Sequence, residues 1–369
     1  MSISQIYPWI NNKELAYLKK VINSTFITEN KFTKKFEDKF KKFVGAKYAV
    51  AVNNWTLGMF ACLKSLNIGP GDEVIVPNMT FIATANAVLL AGAKVVLCEV
   101  RYDTLCLDTH HLKKIINTKT KAIIPVHLYG NSCDMDEIIK LKKKKNFYII
   151  EDAAQGLGVK YKNRHVGTIG EVGGFSFYGN KILTTGEGGM VVTNNKKIYN
   201  YIKSFKNYGR SGKGVYVHEK IGFNFKFTDL QAAIGLAQMD KLKKGFNKKE
   251  KIFNFYKKNL KNINQISFVK ESKKSNQIHW FTNILCKNIK LLNLLNFLKK
   301  RGVEVRRTFY PLHLQPCYKN NRNVIKKGKY NNSNKIYNDL LSLPSAVQIT
   351  NNELRIVAKN INLFFQKNA

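Results

Sequence analysis

Two residues in the middle of the chain carry the most legible chemistry. Asp152 closes an apolar stretch, Phe147–Glu151. Lys181 follows the aromatic run Phe175-Ser176-Phe177-Tyr178 and precedes the glycine-rich Thr184-Thr185-Gly186-Glu187-Gly188-Gly189. The carboxyl ends of parallel strands are where open α/β sheets build ligand sites. A lysine buried among aromatics is costly to keep charged, so it is either paired or held as a neutral amine. A neutral lysine amine is a nucleophile that forms Schiff bases. Joined to an aspartate, it makes the pair that pyridoxal phosphate requires, because the carboxylate keeps the pyridine nitrogen protonated and the ring becomes an electron sink. A structural aspartate and a surface lysine remain the plainer alternative in a chain this rich in lysine; the glycine-rich segment after Lys181 weighs toward a site.

A phosphate has a natural seat at the first strand–helix junction, Val52-Asn53-Asn54-Trp55-Thr56, since helix N-termini offer free N–H groups. Thr56 adds a hydroxyl there, although any capping threonine reads the same way. Phe81, in Pro77-Asn78-Met79-Thr80-Phe81, is a candidate aromatic cover for a cofactor ring, with a core phenylalanine as the equal alternative.

Such residues need strands and helices in alternation to position them. Strands are expected at Lys47–Val52, Glu73–Val76, Lys94–Glu99, Ala122–Val126 and Tyr148–Glu151, with helices at Thr56–Ser65, Ala83–Leu90, Thr109–Ile116 and Asp134–Lys144. Short β-branched strands with helices between them predict an α/β fold with a mostly parallel sheet covered on both faces. Ahead of it, Leu15, Leu18 and Ile22 mark one helix, and Phe32, Phe36, Phe40 and Phe43 a second. The large domain is read as 13–240, after an arm at 1–12. A smaller α+β domain is read as 241–369, opening with a basic helix through Leu260. It continues with a strand at Trp280–Cys286, a helix at Lys290–Lys300, a strand at Val303–Arg306 and a helix at Asn352–Phe365. The Asn- and Lys-rich Cys317–Asn334 reads as a surface loop.

The chain has 369 residues, 44% of them hydrophobic and 12% aromatic, enough for a sizeable core and against disorder. Its net charge is +38. The basic residues are spread over the whole length and not interleaved with stacking aromatics, which favours solvated faces over a nucleic-acid partner. No apolar run reaches membrane length, and the first twenty residues lack the apolar core of a signal peptide, so a cytoplasmic location is expected. None of the six cysteines forms a CxxC pair, so neither a zinc nor a redox motif is expected, and with no signal peptide disulfides are not expected either.

Six stretches together resemble the DegT/StrS family of sugar aminotransferases: Gly69–Pro77, Pro125–Gly130, Glu151–Gln155, Phe175–Lys181 with Thr184–Met190, Phe227–Leu236 and Phe309–His313. Within it the chain looks most like the perosamine-synthase-type branch, which aminates C4 of nucleotide-linked 4-keto-6-deoxyhexoses for surface glycans. The resemblance implies the fold-type-I, aspartate-aminotransferase-like fold, pyridoxal 5′-phosphate as cofactor, L-glutamate as amino donor and a nucleotide-diphosphate sugar as acceptor. It implies that Lys181 is the Schiff-base lysine, Asp152 the partner of the pyridine nitrogen, Gln155 the group near the 3-hydroxyl, Ser176 a phosphate-binding hydroxyl and Phe81 the stacking aromatic. Asn224 would reach the phosphate of a neighbouring subunit, giving a homodimer with composite sites; capping of its own turn is the alternative. Arg306 and His313 are the candidate substrate-side residues. One departure stands out: where the family has Gly-Thr in the phosphate cup, this chain has Trp55-Thr56. Lys181 itself sides with amino transfer, since the family's dehydrating relatives carry His there. Two other readings stay open, a C3-aminotransferase for 3-keto nucleotide sugars and a non-catalytic basic binding protein on the same fold.

Overall fold

A computed structural model describes residues 2–212, 214 and 216–367. Two helices, α1 (Asn12–Asn23) and α2 (Lys31–Val44), precede β1 (Tyr48–Val52) and α3 (Trp55–Ser65). Then follow β2 (Glu73–Pro77), α4 (Ala83–Leu90), β3 (Lys94–Cys98), α5 (Thr109–Ile115), β4 (Thr120–Ile123), α6 (Met135–Lys145) and β5 (Tyr148–Asp152). A hairpin of β6 (Lys160–Tyr161) and β7 (Arg164–His165) leads to β8 (Val172–Ser176), β9 (Gly189–Thr193), α7 (Lys196–Phe205) and α8 (Asp229–Asn259). The remainder is β10 (Ile266–Phe268), β11 (Thr282–Cys286), α9 (Leu291–Lys300), β12 (Arg306–Arg307), β13 (Val324–Lys326), α10 (Asn331–Asp339), β14 (Leu340–Leu343) and α11 (Asn351–Lys367).

Among the described residues the main sheet has eight strands in the order β1-β9-β8-β5-β4-β2-β3-β13. All its pairings are parallel except those of β9, which runs antiparallel to β1 and β8. Both faces are covered. Phe36 and Phe40 of α2 meet Phe175 and Phe177 on one side, while α3, α4 and α7 pack against Val50, Val74, Ile150 and Val191 on the other. The predicted parallel core is therefore present, and β5 lies inside it, where a strand must be apolar on both faces. A second, antiparallel sheet has the order β10-β11-β14-β12. Between the two sheets a separate apolar cluster joins Met79, Val126 and Tyr129 to Trp280, Phe281 and Leu340.

Three local expectations change. The Cys317–Asn334 segment is more than a surface loop: Val324 pairs with Val95 at the sheet edge, and Tyr318 and Tyr330 are buried beside it. Its polar composition conceals three well-spaced apolar anchors. In α1, Leu15 and Ile22 are exposed, while Glu14 and Val21 are buried. Glu14 is tolerated inside because Lys241 and Gln238 reach it at 2.6 and 2.8 Å. The basic helix read from Lys241 to Leu260 is the later part of one unbroken helix, α8, which starts at Asp229 and crosses the boundary read at 240. Among the described residues no helix is long and apolar enough to cross a membrane.

The start of α8 also fixes α2. Buried Asp229 accepts from the backbone N–H groups of Asn30, Phe32 and Thr33 and from the Thr33 hydroxyl at 2.7–3.0 Å. A carboxylate at a helix N-terminus satisfies donors that the helix itself cannot. Asp229→Ala is expected to cost about 2–4 kcal/mol, because it strands buried donors around a lost charge-assisted cap. Urea unfolding of the variant measures this, and a change below about 0.5 kcal/mol would contradict the capping role.

Candidate active site

The site lies where β5 and β8 end and the second sheet approaches. Asp152 is the last residue of β5, and its backbone is held between Pro125 and His127, with Asp152 N–H donating to Pro125 O at 2.9 Å and its carbonyl accepting from His127 at 3.0 Å. Its carboxylate is buried and ordered from three sides. Oδ1 accepts from the Trp55 indole Nε1 at 2.9 Å and from Ala154 N at 3.1 Å; Oδ2 accepts from the Thr84 hydroxyl at 2.8 Å. One strand position earlier, Glu151 pairs with His127 at 3.0 Å and accepts from the amides of Gly167, Ile169 and Gly170. Burial opposes charge on both partners of that pair, yet their mutual hydrogen bond prevails, raising His127 and lowering Glu151.

A small cavity beside Asp152 is lined by Ala154, Gln155, Ser176, Lys181, Ile278 and Trp280. Lys181 Nζ stands 3.9 Å from the centre of the Trp280 ring, whose indole N–H donates to Asn180 O at 2.9 Å. Burial pushes the Lys181 amine down to about 7, and the neighbouring charge of Asp152 only partly opposes this. Gln155 Oε1 accepts from Tyr129 N at 2.8 Å, which leaves its amide NH2 for another partner. Tyr129 needs that support because its φ is +52°, where a side chain rarely sits. Its ring stacks on Phe309 with centroids 5.6 Å apart, and Phe309 in turn meets Phe81 at 5.8 Å. Phe81 is 55% exposed, so it is no core residue.

The phosphate-seat residues also converge. Val52, Gly189 and Ser176 lie side by side across β1, β9 and β8. A Cβ at Gly189 would lie 2.7 Å from Trp55 N, so glycine there lets the N-terminus of α3 settle against the sheet end. Asn54 caps α3 by accepting from Leu57 N, and Trp55 starts the helix with ordinary angles. The Trp55 side chain, read from sequence as part of the phosphate cup, reaches Asp152 instead.

Other sequence candidates lie apart from this cavity. Asn224 is exposed on a basic basin with Lys31, Lys203, Arg210 and Lys226, and its Oδ1 accepts from Lys226 N at 3.4 Å. Arg306 is exposed and pairs with Glu304 at 3.0 Å. His313 is fixed to Asn78, the residue after β2, through its ring and its backbone at 2.9 Å. Sequence reasoning missed Thr84, Trp280 and the Trp55–Asp152 contact. The aromatic triplet His279-Trp280-Phe281 was the only signal for Trp280, and nothing in spacing marks Thr84. An amine held near 7 has a visible consequence. Modification of Lys181 by an aldehyde under reducing conditions, followed by peptide mass spectrometry, should quicken about tenfold per pH unit up to about pH 7 and level off above it. A rise continuing toward pH 10 would contradict the burial effect.

Comparison with known proteins gives the same direction. The DegT/DnrJ/EryC1/StrS aminotransferase family matches residues 8–362. A GDP-perosamine synthase of Escherichia coli O157:H7 is 38% identical over 364 residues, covering 97% of each chain. Another from Caulobacter vibrioides is 36% identical over 321 residues, covering 86% of each. The X-ray structure of an aminotransferase from Psychrobacter cryohalolentis superposes with a TM-score of 0.91 at 28% identity, covering 98% of both chains. With a buried lysine amine and a carboxylate at the end of β5, and with this match across almost the whole sequence, the chain belongs to the DegT/DnrJ/EryC1/StrS aminotransferase family and is a pyridoxal-phosphate-dependent sugar aminotransferase.

Proposed function

We propose that the enzyme moves an amino group from L-glutamate to C4 of a nucleotide-linked 4-keto-6-deoxyhexose, giving a perosamine- or viosamine-type sugar for surface glycans. The observation that carries the amino-transfer chemistry is the Lys181 amine near 7 in one cavity wall with Asp152 close by. The C4 position and the sugar rest on the relatives named GDP-perosamine synthase.

The donor set fits the cofactor. Lys181 offers a nucleophilic amine, Asp152 Oδ2 keeps one unfilled lone pair, and Ser176 and Thr56 add hydroxyls beside the free N–H groups of α3. Bound there, pyridoxal phosphate supplies an aldehyde for amines and a ring that draws electrons from the adjoining carbon. In this reading Lys181 holds the cofactor, and its Nζ, once released, takes the α-proton of the amino donor as general base. An amine near 7 suits that duty because about half of it is unprotonated at neutral pH and it is still basic enough to take a proton. Asp152 keeps the ring nitrogen protonated. Gln155 directs its amide NH2 to the 3-hydroxyl, and Phe81 covers the ring. Ser176 and Thr56 hold the phosphate. His313 and Arg306 stand on the substrate side, with Arg306 turning from Glu304 to an anionic group of the nucleotide.

The active form is read as a homodimer. Asn224 lies in an open basic basin outside its own Lys181 cavity, a placement that suits a residue serving the phosphate held by a second copy. Six free cysteines suit a reducing compartment and a cytoplasmic enzyme.

Incubation with glutamate and a panel of 3-keto and 4-keto nucleotide sugars, read by mass spectrometry and NMR of the product, is expected to show amine at C4. Amine appearing only at C3 would overturn the substrate assignment. For the shared site, Lys181→Ala and Asn224→Ala should each abolish at least about 99% of turnover, the scale expected when an essential group is removed. Their mixture should recover about a quarter of wild-type activity, because half of randomly paired dimers are mixed and each carries one intact site. No recovery despite proven subunit exchange would remove the composite-site claim.

A further inference from the structure

Trp55 opens α3, and its indole passes into the core beneath the end of the sheet. It is 4% exposed and donates from Nε1 to Asp152 Oδ1 at 2.9 Å. Two glycines make room for it. A Cβ at Gly174, on β8 beside Asp152, would lie 2.1 Å from the indole, and a Cβ at Gly58, one turn along α3, would lie 3.0 Å from it. Any side chain at position 174 would therefore collide with the ring, so the indole and Gly174 form one fitted unit.

Counting lone pairs shows what the unit does. A carboxylate oxygen accepts two hydrogen bonds. Asp152 Oδ1 already takes Trp55 Nε1 and Ala154 N, whereas Oδ2 takes only the Thr84 hydroxyl. We propose that Trp55 is a positioning residue: its indole N–H saturates Oδ1 and fixes the carboxylate plane, so that Oδ2 alone is presented to the ring nitrogen of the cofactor. This rests on the reading of Asp152 as partner of that nitrogen. Trp55 touches neither substrate nor the reacting carbon; it acts through Asp152.

The other groups acting on Asp152 electrostatically are Lys181 and His127, the latter paired with Glu151, and a change at Trp55 leaves all three in place.

The test has two arms. In cofactor-free protein with 15N-labelled tryptophan, the three indoles of Trp9, Trp55 and Trp280 give three side-chain N–H signals, assigned by substitution. Asp152→Ala should move the Trp55 signal upfield, because a carboxylate acceptor deshields the proton, and leave Trp9 in place. An unmoved Trp55 signal overturns the contact. In the loaded enzyme, Trp55→Phe keeps a ring in the socket but no donor. Its kcat should fall by at least about tenfold while KM changes less, because a carboxylate no longer held in plane supports the ring nitrogen less well. A purely space-filling tryptophan would leave kcat unchanged once phenylalanine fills the socket, and that result overturns the proposal. If Asp152→Asn alone keeps near-normal turnover, the reading of Asp152 fails and the role of Trp55 fails with it, while the indole signal still reports the contact separately. The first arm uses the native tryptophan, so it decides the contact even if Trp55→Phe does not fold.

Discussion

Everything at this site follows from keeping one lysine amine away from water. Lys181 is drawn under a wall in which Trp280, Tyr129, Phe309 and Phe81 meet in sequence, and that wall comes from both parts of the chain. Burial disfavours the ammonium form, and the nearby carboxylate pulls the other way without winning. The balance leaves a nitrogen that is basic yet about half unprotonated at neutral pH, which neither a free lysine nor a tightly ion-paired one provides. The second sheet matters for this reason: its approach supplies Trp280 and closes the cavity.

Lys249 shows that burial alone does not make such a group. Its amine is also pushed down to about 7, yet it is fixed by the carbonyls of Trp280 and Ser345. It therefore joins α8 to the segment just before β11 that carries Trp280, and its donors are spent on backbone. Lys206 is likewise enclosed but donates to Ala51 O at 2.8 Å and pairs with Glu29 at 3.0 Å. Lys181 meets an aromatic face instead of an oxygen, an arrangement that tolerates the charged state and still leaves the nitrogen to react.

Buried carboxylates frame the site by the opposite logic, each supplied with donors. Glu151 has three backbone amides and His127, Asp229 has three amides and Thr33, and Asp152 has Trp55, Ala154 and Thr84. Asp152 takes three donors where the other two take four, and it lies close in sequence to the cavity-lining Ala154 and Gln155. Where Glu151 and Asp229 stabilise turns and helix ends, Asp152 keeps one lone pair in reserve.

The alternation of β-branched strands and helices, the strand ending at Asp152 and the glycine-rich turn after Lys181 were all legible in the sequence, because local propensity and period decide them. The motif order also sufficed to indicate the family, since motifs record chemistry directly. Tertiary structure alone decided which apolar stripe of α1 turns inward, that Val324 joins the main sheet and that the helix read from Lys241 already begins at Asp229. Each depends on a partner distant in the chain: Lys241 rewards a buried Glu14, and an open edge at β3 recruits a strand from a polar segment. The same holds for Trp55. Its departure from glycine was visible as a single letter, but its meaning lay in the space that Gly174 leaves and in a carboxylate nearly a hundred residues away. Spacing along a chain records periodicity, whereas a hydrogen bond and a collision depend on distances that only folding brings about.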